Sequence, residues 1–454
     1  MSCLRDTERR DKMTDQEAAV FIAEKAAELG GTVYFVGGCV RDGILGRENK
    51  DIDIEIHGLT TEQTEKVLDS VGSRQEYGKC FGIYSLKGLG LDISLPGSGH
   101  SDEDAAPFMG TYEAARRRDF TVNGLMKNVL TGEITDHFGG MKDIESRTIR
   151  HIDDSTFAAD PLRVLRAAQF SARFGFDIAA ETVSLCRGLD ISGLPSERIM
   201  PETEKALLRS EKPSVFFEQL RRMGQLSFWF PEAKALIGVP QNRQYHLEGD
   251  AWTHTMLVLD EAAKRRDIAK YPLGFMLSAL CHDFGKAVST TIDEDGTVHS
   301  YEHEALGLPP VKTFLERLTS ESALIRYVLN MTELHMEPNI MARARSKLKR
   351  TNRLFDRSVE PFDLIQLSVC DGLGKLPKCD DTEEFLMQRY DRFNEIMSRP
   401  CLMGRDLIEA GLEPLEHFAE ILGYAHKLRL AGLDKDNQLR QSLAYARSVL
   451  KIKG

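Results

Sequence analysis

This 454-residue sequence predicts a mixed α/β head of about 150 residues followed by an all-helical body. Two changes of pattern carry that prediction. Up to about residue 130 the apolar runs are short, β-branched or aromatic, and bounded by glycine or polar turns. From residue 155 onward they lengthen and recur at helical spacing, as in PLRVLRAAQFSARF and PSVFFEQLRRM. Composition agrees: 42% hydrophobic and 28% charged residues over this length suit several packed domains and exclude a fibrous or disordered chain.

In chain order, residues 15–29 predict a helix and TVYFV (32–36) a strand. DIDIEI (51–56) is a strand by strict alternation, 61–70 a helix, and FGIYSL (81–86) and LDISL (91–95) two more strands. SGHSDEDAAPFMG (98–110) reads as a mobile loop. Within the body, 233–249 carries glycine, proline and polar residues and predicts a linker, and LPKCDD (376–381) a second break. The expected divisions are therefore a head over 1–150, a helical neck over 151–235, a helical domain over 245–375 and a helical tail over 382–454. Lys+Arg 59 against Asp+Glu 70 leaves a net charge of −11, which excludes a uniformly basic nucleic-acid coat protein but not a local basic groove. No apolar run reaches the ~20 residues of a membrane span. The charged start MSCLRDTERRDKMTDQEA lacks the apolar core of a secretory signal. Eight scattered cysteines without a C-x-x-C pair fit a reducing compartment, so the expected location is cytoplasmic.

The chemistry-bearing residues begin in YFVGGCVRDGILG, where a strand runs through Gly37 and Gly38 into a helix. Glycines at such a corner admit a ligand close to the backbone, the helix start offers N–H groups to phosphate, and Arg41 stands one turn further on. A plain strand-to-helix turn explains the two glycines equally well. In DIDIEI the alternation puts Asp51, Asp53 and Glu55 on one face and the isoleucines on the other. Such like charges either call for a divalent cation such as Mg²⁺ or form the solvated face of a half-buried strand. Asp92 alternates against Leu91 and Ile93 and supplies a third carboxylate from a neighbouring strand. In YEAARRRDFTVNG, Arg117 and Arg118 suit a triphosphate, and Asp119 and Asn123 suit sugar hydroxyls or amides.

VGGCVRDGILGRENKDIDIEIHG, RRDFTVNG and DHFGGMKDI, in that order, resemble the bacterial-type CCA-adding tRNA nucleotidyltransferase and poly(A) polymerase family. DPLRVLRAAQFSARFGF (160–176) resembles its nucleotide-selecting helix and SERIMPETEKALL (196–208) the motif that follows. The resemblance implies a polymerase-β-like mixed sheet in the head, with catalytic metal carboxylates at Asp51 and Asp53. It implies nucleotide-phosphate contacts at Gly38 and Arg41, and triphosphate and ribose contacts at Arg118 and Asp119. Asp160 and Arg163 match the pair that reads the incoming base by its Watson–Crick edge, and Arg166 continues that helical stripe. The sequence departs from the family at Ala159, where Glu is usual, and at Gln169, where Arg is usual.

Further on, Leu273, Leu277, Leu280 and Cys281 make an apolar helical face that ends in His282-Asp283. With His254 on an earlier helix, an adjacent His and Asp form a metal shell of imidazole and carboxylate. This order resembles the HD phosphohydrolase domain, with Asp371 as its last aspartate. His299, His303 and His335 resemble the extra ligands of HD domains that hold a second metal. A ligand set this mixed specifies a divalent metal but not which one. The basic run Arg343, Arg345, Lys347, Lys349, Arg350 and Arg353 reads either as an RNA-backbone contact or as a solvated helix face. MGRDLIEAGLEPLEHFAEIL (403–422) resembles the family's tail and departs at Leu415, where Gly is common.

The implied reaction is attack of a tRNA 3′-hydroxyl on the α-phosphorus of CTP or ATP, with Mg²⁺ in the head, to add or repair the terminal CCA. A poly(A) polymerase shares the head motifs, against which YGKCFGIYSL (77–86) resembles the CCA-adding form. An enzyme adding only CC or only A is a further alternative, with the length of the 96–115 loop weighing against the CC-only form. From other classes, an HD phosphohydrolase with a nucleotide-sensing head and a non-catalytic tRNA-binding module are both disfavoured by the Asp51/Asp53 pair.

Overall fold

The computed structural model describes residues 13–47, 51–76, 83–97, 106–244, 246–378, 381–413 and 417–448. Most of the 98–110 loop, the start of YGKCFGIYSL and Leu415 lie outside them. The chain divides into two units, Met1–Leu194 with Arg222–Gly224, and Pro195–Arg221 with Gln225–Gly454.

The first unit is built on a seven-stranded mixed sheet of order β3-β4-β5-β2-β1-β6-β7. Its strands are β1 (Thr32–Val36), β2 (Ile52–His57), β3 (Arg74–Glu76), β4 (Ile83–Leu86), β5 (Leu91–Ser94), β6 (Met126–Asn128) and β7 (Ile134–Thr135). Neighbours pair antiparallel except β2 and β5, which run parallel and set Asp53 opposite Asp92. The alternation of DIDIEI is realised: Ile54 and Ile56 are fully buried, packed with the helices α1 (Asp15–Glu28) and α3 (Thr61–Val71) that cover one face. Both helices start where the sequence says they should. Thr14 with Glu17, and Thr60 with Gln63, form capping boxes that satisfy N–H groups which the first turn leaves unpaired. Between β1 and β2 runs the short helix α2 (Gly38–Ile44). The opposite sheet face, carrying Asp53, Glu55 and Asp92, is the one left for chemistry. The head unit also includes helix α4 (Arg163–Phe174).

Two expected boundaries move. The neck proposed over 151–235 does not hold together as one piece, since the division falls at Leu194/Pro195. The physical reason is that α5 (Ser196–Arg209) packs against α7 (Pro272–Cys281) of the second unit. Nor is 233–249 a spacer. Ala233 and Leu236 are fully buried, Gly238 donates its N–H to Asp250 Oδ2 at 2.6 Å, and the Glu248 side chain is only 1% exposed.

The second unit is helical. Helix α6 (Ala251–Ala263) packs on α7 and on α11 (Pro361–Leu373), and α7 also packs on α8 (Ser322–Leu334). Between α8 and α11 lie α9 (Met336–Arg343) and α10 (Leu348–Arg357). A two-stranded hairpin, Thr290–Ile292 with Val298–Ser300, interrupts the helices. In the tail, the helices Phe418–Leu430 and Lys435–Ser448 pack together with a small core that includes Leu407, Ile421 and Ala446. Among the described residues no helix is long and apolar enough to cross a membrane.

Candidate active sites

In the head, Asp51 leads into β2, Asp53 follows two residues on, and Asp92 stands beside Asp53 on the parallel neighbour. Burial, together with the charges of Asp92 and Asp51, pushes the Asp53 carboxyl up to about 6 despite the opposing Arg118 and Arg41. A carboxylate so burdened by its neighbours is a ready ligand for a divalent cation. Gly37, at φ +65°, makes the turn from β1 into α2. A Cβ there would lie 3.2 Å from Arg118 Nη1 and 3.8 Å from Asp53 Oδ2, so the glycine leaves space where cation and carboxylate meet. Arg118 Nη2 donates to Glu55 Oε2 at 3.1 Å, and His57 Nε2 lies 2.6 Å from Glu55 Oε1. Glu55, expected on a solvated or metal-binding face, is thereby buried and paired, and His57 and Arg118 hold its carboxyl low against the opposing effect of burial. Arg117 reaches the Gly97 carbonyl at 3.5 Å.

Other expected nucleotide contacts are turned inward. Arg41 is 3% exposed, with Nε on Asp42 Oδ1 at 2.8 Å and Nη1 on Asn123 Oδ1 at 2.5 Å, over the Phe174 ring at 4.4 Å. Asn123 passes the network to Asp119 at 2.8 Å, and Arg166 Nε closes it on the other Asp119 oxygen at 2.8 Å. Arg41, Asn123 and Asp119 are thus a buried chain that the part-exposed Arg166 closes, tying α2 to α4, because each charge off the surface needs a partner. Arg163 is 3% exposed and donates to the carbonyls of Arg117 at 2.6 Å, Thr156 at 2.8 Å and Arg118 at 3.5 Å. In this structure it braces main chain and does not present itself to a base. Asp160 Oδ1 accepts from the Leu162 N–H at 3.3 Å, just before α4 begins. A cavity of about 580 Å³ opens beside Phe35, Cys39 and Ile52, on the sheet face opposite Asp53, and among the described residues no carboxylate lines it.

The second unit gathers His254 from α6, His282 and Asp283 from the end of α7, His303 after the hairpin, His335 after α8, and Asp371 from α11. All six are buried. His254 Nε2 lies 3.1 Å from Asp371 Oδ1 and 3.5 Å from Asp283 Oδ2, and His282 Nε2 lies 3.2 Å from the same Asp283 oxygen. His303 and His335 approach the other oxygen, Oδ1, at 3.3 and 3.8 Å. Asp283 therefore stands between two groups, His254–His282–Asp371 and His303–His335. Nε2 atoms face each other at 3.4 Å between His254 and His282 and at 3.3 Å between His303 and His335. Lone pairs brought together in this way fit a cation between them. Burial, with His303 and His282 nearby, takes His335 down to about 3, which keeps its ring in the neutral form that binds metal. Against the opposing effect of burial, the charges of His282 and Lys286 hold the Asp283 carboxyl well below the usual range, and Lys375 and His254 do so for Asp371. A cavity of about 150 Å³ touches this cluster and is lined by Gln241, His246, Asp283, Lys286, Asp371 and Lys375.

Two stretches match known family models: the poly A polymerase head domain over residues 33–150, and the probable RNA and SrmB-binding site of polymerase A over 175–237. The multifunctional CCA protein of Actinobacillus pleuropneumoniae serotype 5b is 35% identical over 363 residues, covering 76% of this chain and 86% of that one. The Pasteurella multocida multifunctional CCA protein is 36% identical over 383 residues, covering 79% and 88%. The chain belongs to the multifunctional CCA protein family. Its fold is that of solved CCA-adding enzymes. A complex with ATP superposes at TM-score 0.67 with 20% identity over 95% of this chain and 93% of that one. The Thermotoga maritima enzyme complexed with tRNA superposes at 0.63 with 21% identity over 93% of each.

Within this CCA-family chain, sequence reading and structure agree on bringing Asp51, Asp53 and Asp92 to one corner, and on gathering the histidines and aspartates of the second unit. His299 is not among them: it stacks on Tyr301 and pairs with Asp293 at 3.0 Å on the hairpin. Strand alternation sends it away from the side of Val298 and Ser300, which line the cavity. Sequence reading missed Glu248, Lys286 and Lys375. Glu248 lay in the supposed linker; its signal was a carboxylate six residues before His254. Lys286 and Lys375 reach Asp283 at 2.6 Å and Asp371 at 2.9 Å, and their i+3 and i+4 spacings from those aspartates were legible.

Proposed function

We infer that this protein adds or repairs the 3′-terminal CCA of tRNA with CTP and ATP, in the cytoplasm where these three occur together. The observation that carries the reading is the Asp51/Asp53/Asp92 corner beside Gly37 and Arg118, in a chain of this family. The terminal 3′-oxygen of the RNA attacks the α-phosphorus, the bond to the β-phosphate oxygen breaks, and pyrophosphate leaves. Asp51, Asp53 and Asp92 would hold Mg²⁺, which when bound neutralises phosphate charge and eases loss of the hydroxyl proton. Arg117 and Arg118 face the triphosphate, and the Gly37–Gly38 corner allows its close approach. Asp160 accepts from the exocyclic amine of the incoming base. Arg163, through the carbonyls of Arg117 and Arg118, sets where those two guanidinium groups stand.

The second unit is a divalent-metal phosphohydrolase of the HD type, with His254, His282, Asp283 and Asp371 holding one ion and Asp283, His303 and His335 a second. Such an ion supplies Lewis acidity and activates water. Lys286 and Lys375, at the cavity, supply cationic contacts for a phosphate.

The deciding experiment incubates the protein with tRNA lacking its 3′ end, with CTP and ATP separately and together. CTP alone should add two residues and both together three, then stop. Unlimited extension with ATP alone would make it a poly(A) polymerase, the reading that the head-domain match favours next. Arrest after CC with both nucleotides, or addition only to tRNA already ending in CC, would make it a partial enzyme. No incorporation would leave the hydrolase as the chain's activity.

A further inference from the structure

The four histidine rings of the buried cluster, His254, His282, His303 and His335, turn their Nε2 atoms inward, and three are oriented in the same way. His282, His303 and His335 direct Nδ1 at the carbonyls of Ala279, Ser300 and Thr332, three residues earlier, at 2.9, 2.8 and 2.7 Å. The local backbone supplies each acceptor, so tautomer and ring angle come with the fold. His254 is different. The carbonyl three residues before it, on Ala251, accepts from Thr255 Oγ1 at 2.8 Å. Its Nδ1 instead faces Glu248 Oε1 at 3.1 Å, somewhat off the line of an aligned hydrogen bond.

Glu248 is firmly placed. Its side chain is 1% exposed, His246 Nδ1 lies 2.6 Å from Oε1, and the Leu376 N–H donates to Oε2 at 2.9 Å. Burial alone would raise this carboxyl, and the contacts from His246, His254 and Leu376 outweigh it, so the group stays ionised. Leu376 follows Lys375, whose Nζ is 2.9 Å from Asp371 Oδ2, and Asp371 in turn is the partner of His254. The same carboxylate therefore anchors both the ring and the segment next to a second ligand. Behind the other group, the nearest comparable acid is Glu304, 3.5 Å from His303 Nδ1; its side chain is 36% exposed and that nitrogen already faces the Ser300 carbonyl.

We propose that Glu248 is the positioning residue of the site formed by His254, His282, Asp283 and Asp371, holding His254 with a proton on Nδ1 and a bare Nε2, and strengthening that site and not its neighbour. A carboxylate behind a ligating imidazole raises the basicity of the ring and locks its tautomer, typically worth about 10–100-fold in metal affinity. A neutral main-chain carbonyl also locks the tautomer but raises the basicity less. The two groups around Asp283 therefore differ in strength by construction. This rests on reading the cluster as a metal site.

The test titrates the full-length, metal-free protein with Co²⁺, followed by calorimetry and by visible absorption, with His282→Ala as the control that identifies the signal of the first site. Glu248→Gln keeps the shape but offers an amide that can donate to Nδ1 and turn the tautomer over. It should weaken that one site about 10–100-fold, leave the second site unchanged, and extend tRNA like the unaltered protein. Glu248→Asp, which keeps the charge, should retain part of the affinity at a melting temperature no higher than that of Glu248→Gln. Equal affinity in Glu248→Gln and the unaltered protein, or equal loss in both Glu248 variants, overturns the proposal. If the unaltered protein binds no Co²⁺ that His282→Ala abolishes, the metal reading itself fails and takes the proposal with it.

Discussion

At the scale of single residues, Asp53 shows how a functional group strains the fold that holds it. Its carboxyl, raised to about 6 by burial and by Asp92, is more easily protonated in the folded chain than in the unfolded one. Stability arising from this group is present at pH below about 4 and is lost as pH rises through 6. Asp53→Asn should therefore melt higher than the unaltered protein at pH 7–8, by on the order of 1–3 kcal/mol, and the gap should close near pH 4. The same variant should lose nucleotide incorporation, since an amide cannot replace a ligand carboxylate. A melting temperature unchanged at pH 8 would mean that Asp53 is not electrostatically burdened. Asp160 and Arg163 separate by the same logic. Asp160→Ala should erode preference for CTP and ATP over UTP and GTP by ~1–3 kcal/mol, more than it lowers overall turnover. Arg163→Met should instead destabilise the fold by ~1–3 kcal/mol, because the part-buried carbonyls of Arg117 and Thr156 lose their donor. Equal stability in the two variants would return Arg163 to the base.

At the scale of elements, α10 is the clearest amphipathic helix. Leu354 and Phe355 are 1% exposed while Lys349, Arg350 and Arg353 lie exposed on the other side, continuing from Lys347. No acidic residue occurs between 338 and 355, in a chain whose net charge is −11. Of the two readings of this run, phosphate contact makes a measurable claim. Replacing Lys349, Arg350 and Arg353 together by Ala should raise KM for tRNA roughly tenfold at low salt, leave kcat alone, and flatten the dependence of binding on salt. A KM and salt dependence like those of the unaltered protein would leave the run as a solvated face. The buried side of the helix is untouched by these changes, so the fold should survive them.

At the scale of the whole molecule, the two clusters belong to different units, each with its own core, and they should fail independently. His282→Ala or Asp283→Ala should remove metal-dependent hydrolysis of small phosphate esters or 2′,3′-cyclic phosphates while tRNA extension continues. Asp53→Asn should do the reverse. Measuring both activities and the metal content on one preparation of each variant decides it, and loss of both activities in a folded variant would refute independence.

What the sequence determined by itself was everything written in short-range pattern. Alternation in DIDIEI put the carboxylates on one face and helical periodicity marked the helices from residues 15 and 61, while the shared shell of His254, His282-Asp283 and Asp371 came from the resemblance to the HD domain. Periodicity acts over a few residues and so survives in one dimension. Only the tertiary structure decided which charges would be covered. Arg41 and Arg163 read as nucleotide contacts in the sequence and Glu55 as part of a metal-binding or solvated face, yet each is enclosed by partners from distant segments: Asn123 for Arg41, Arg118 for Glu55, and the Arg117 carbonyl for Arg163. The supposed linker likewise holds Glu248, whose value lies in meeting His254 and Leu376. A buried charge is stable only with its partners, and partners brought together by folding across tens or hundreds of residues leave no local trace in the chain.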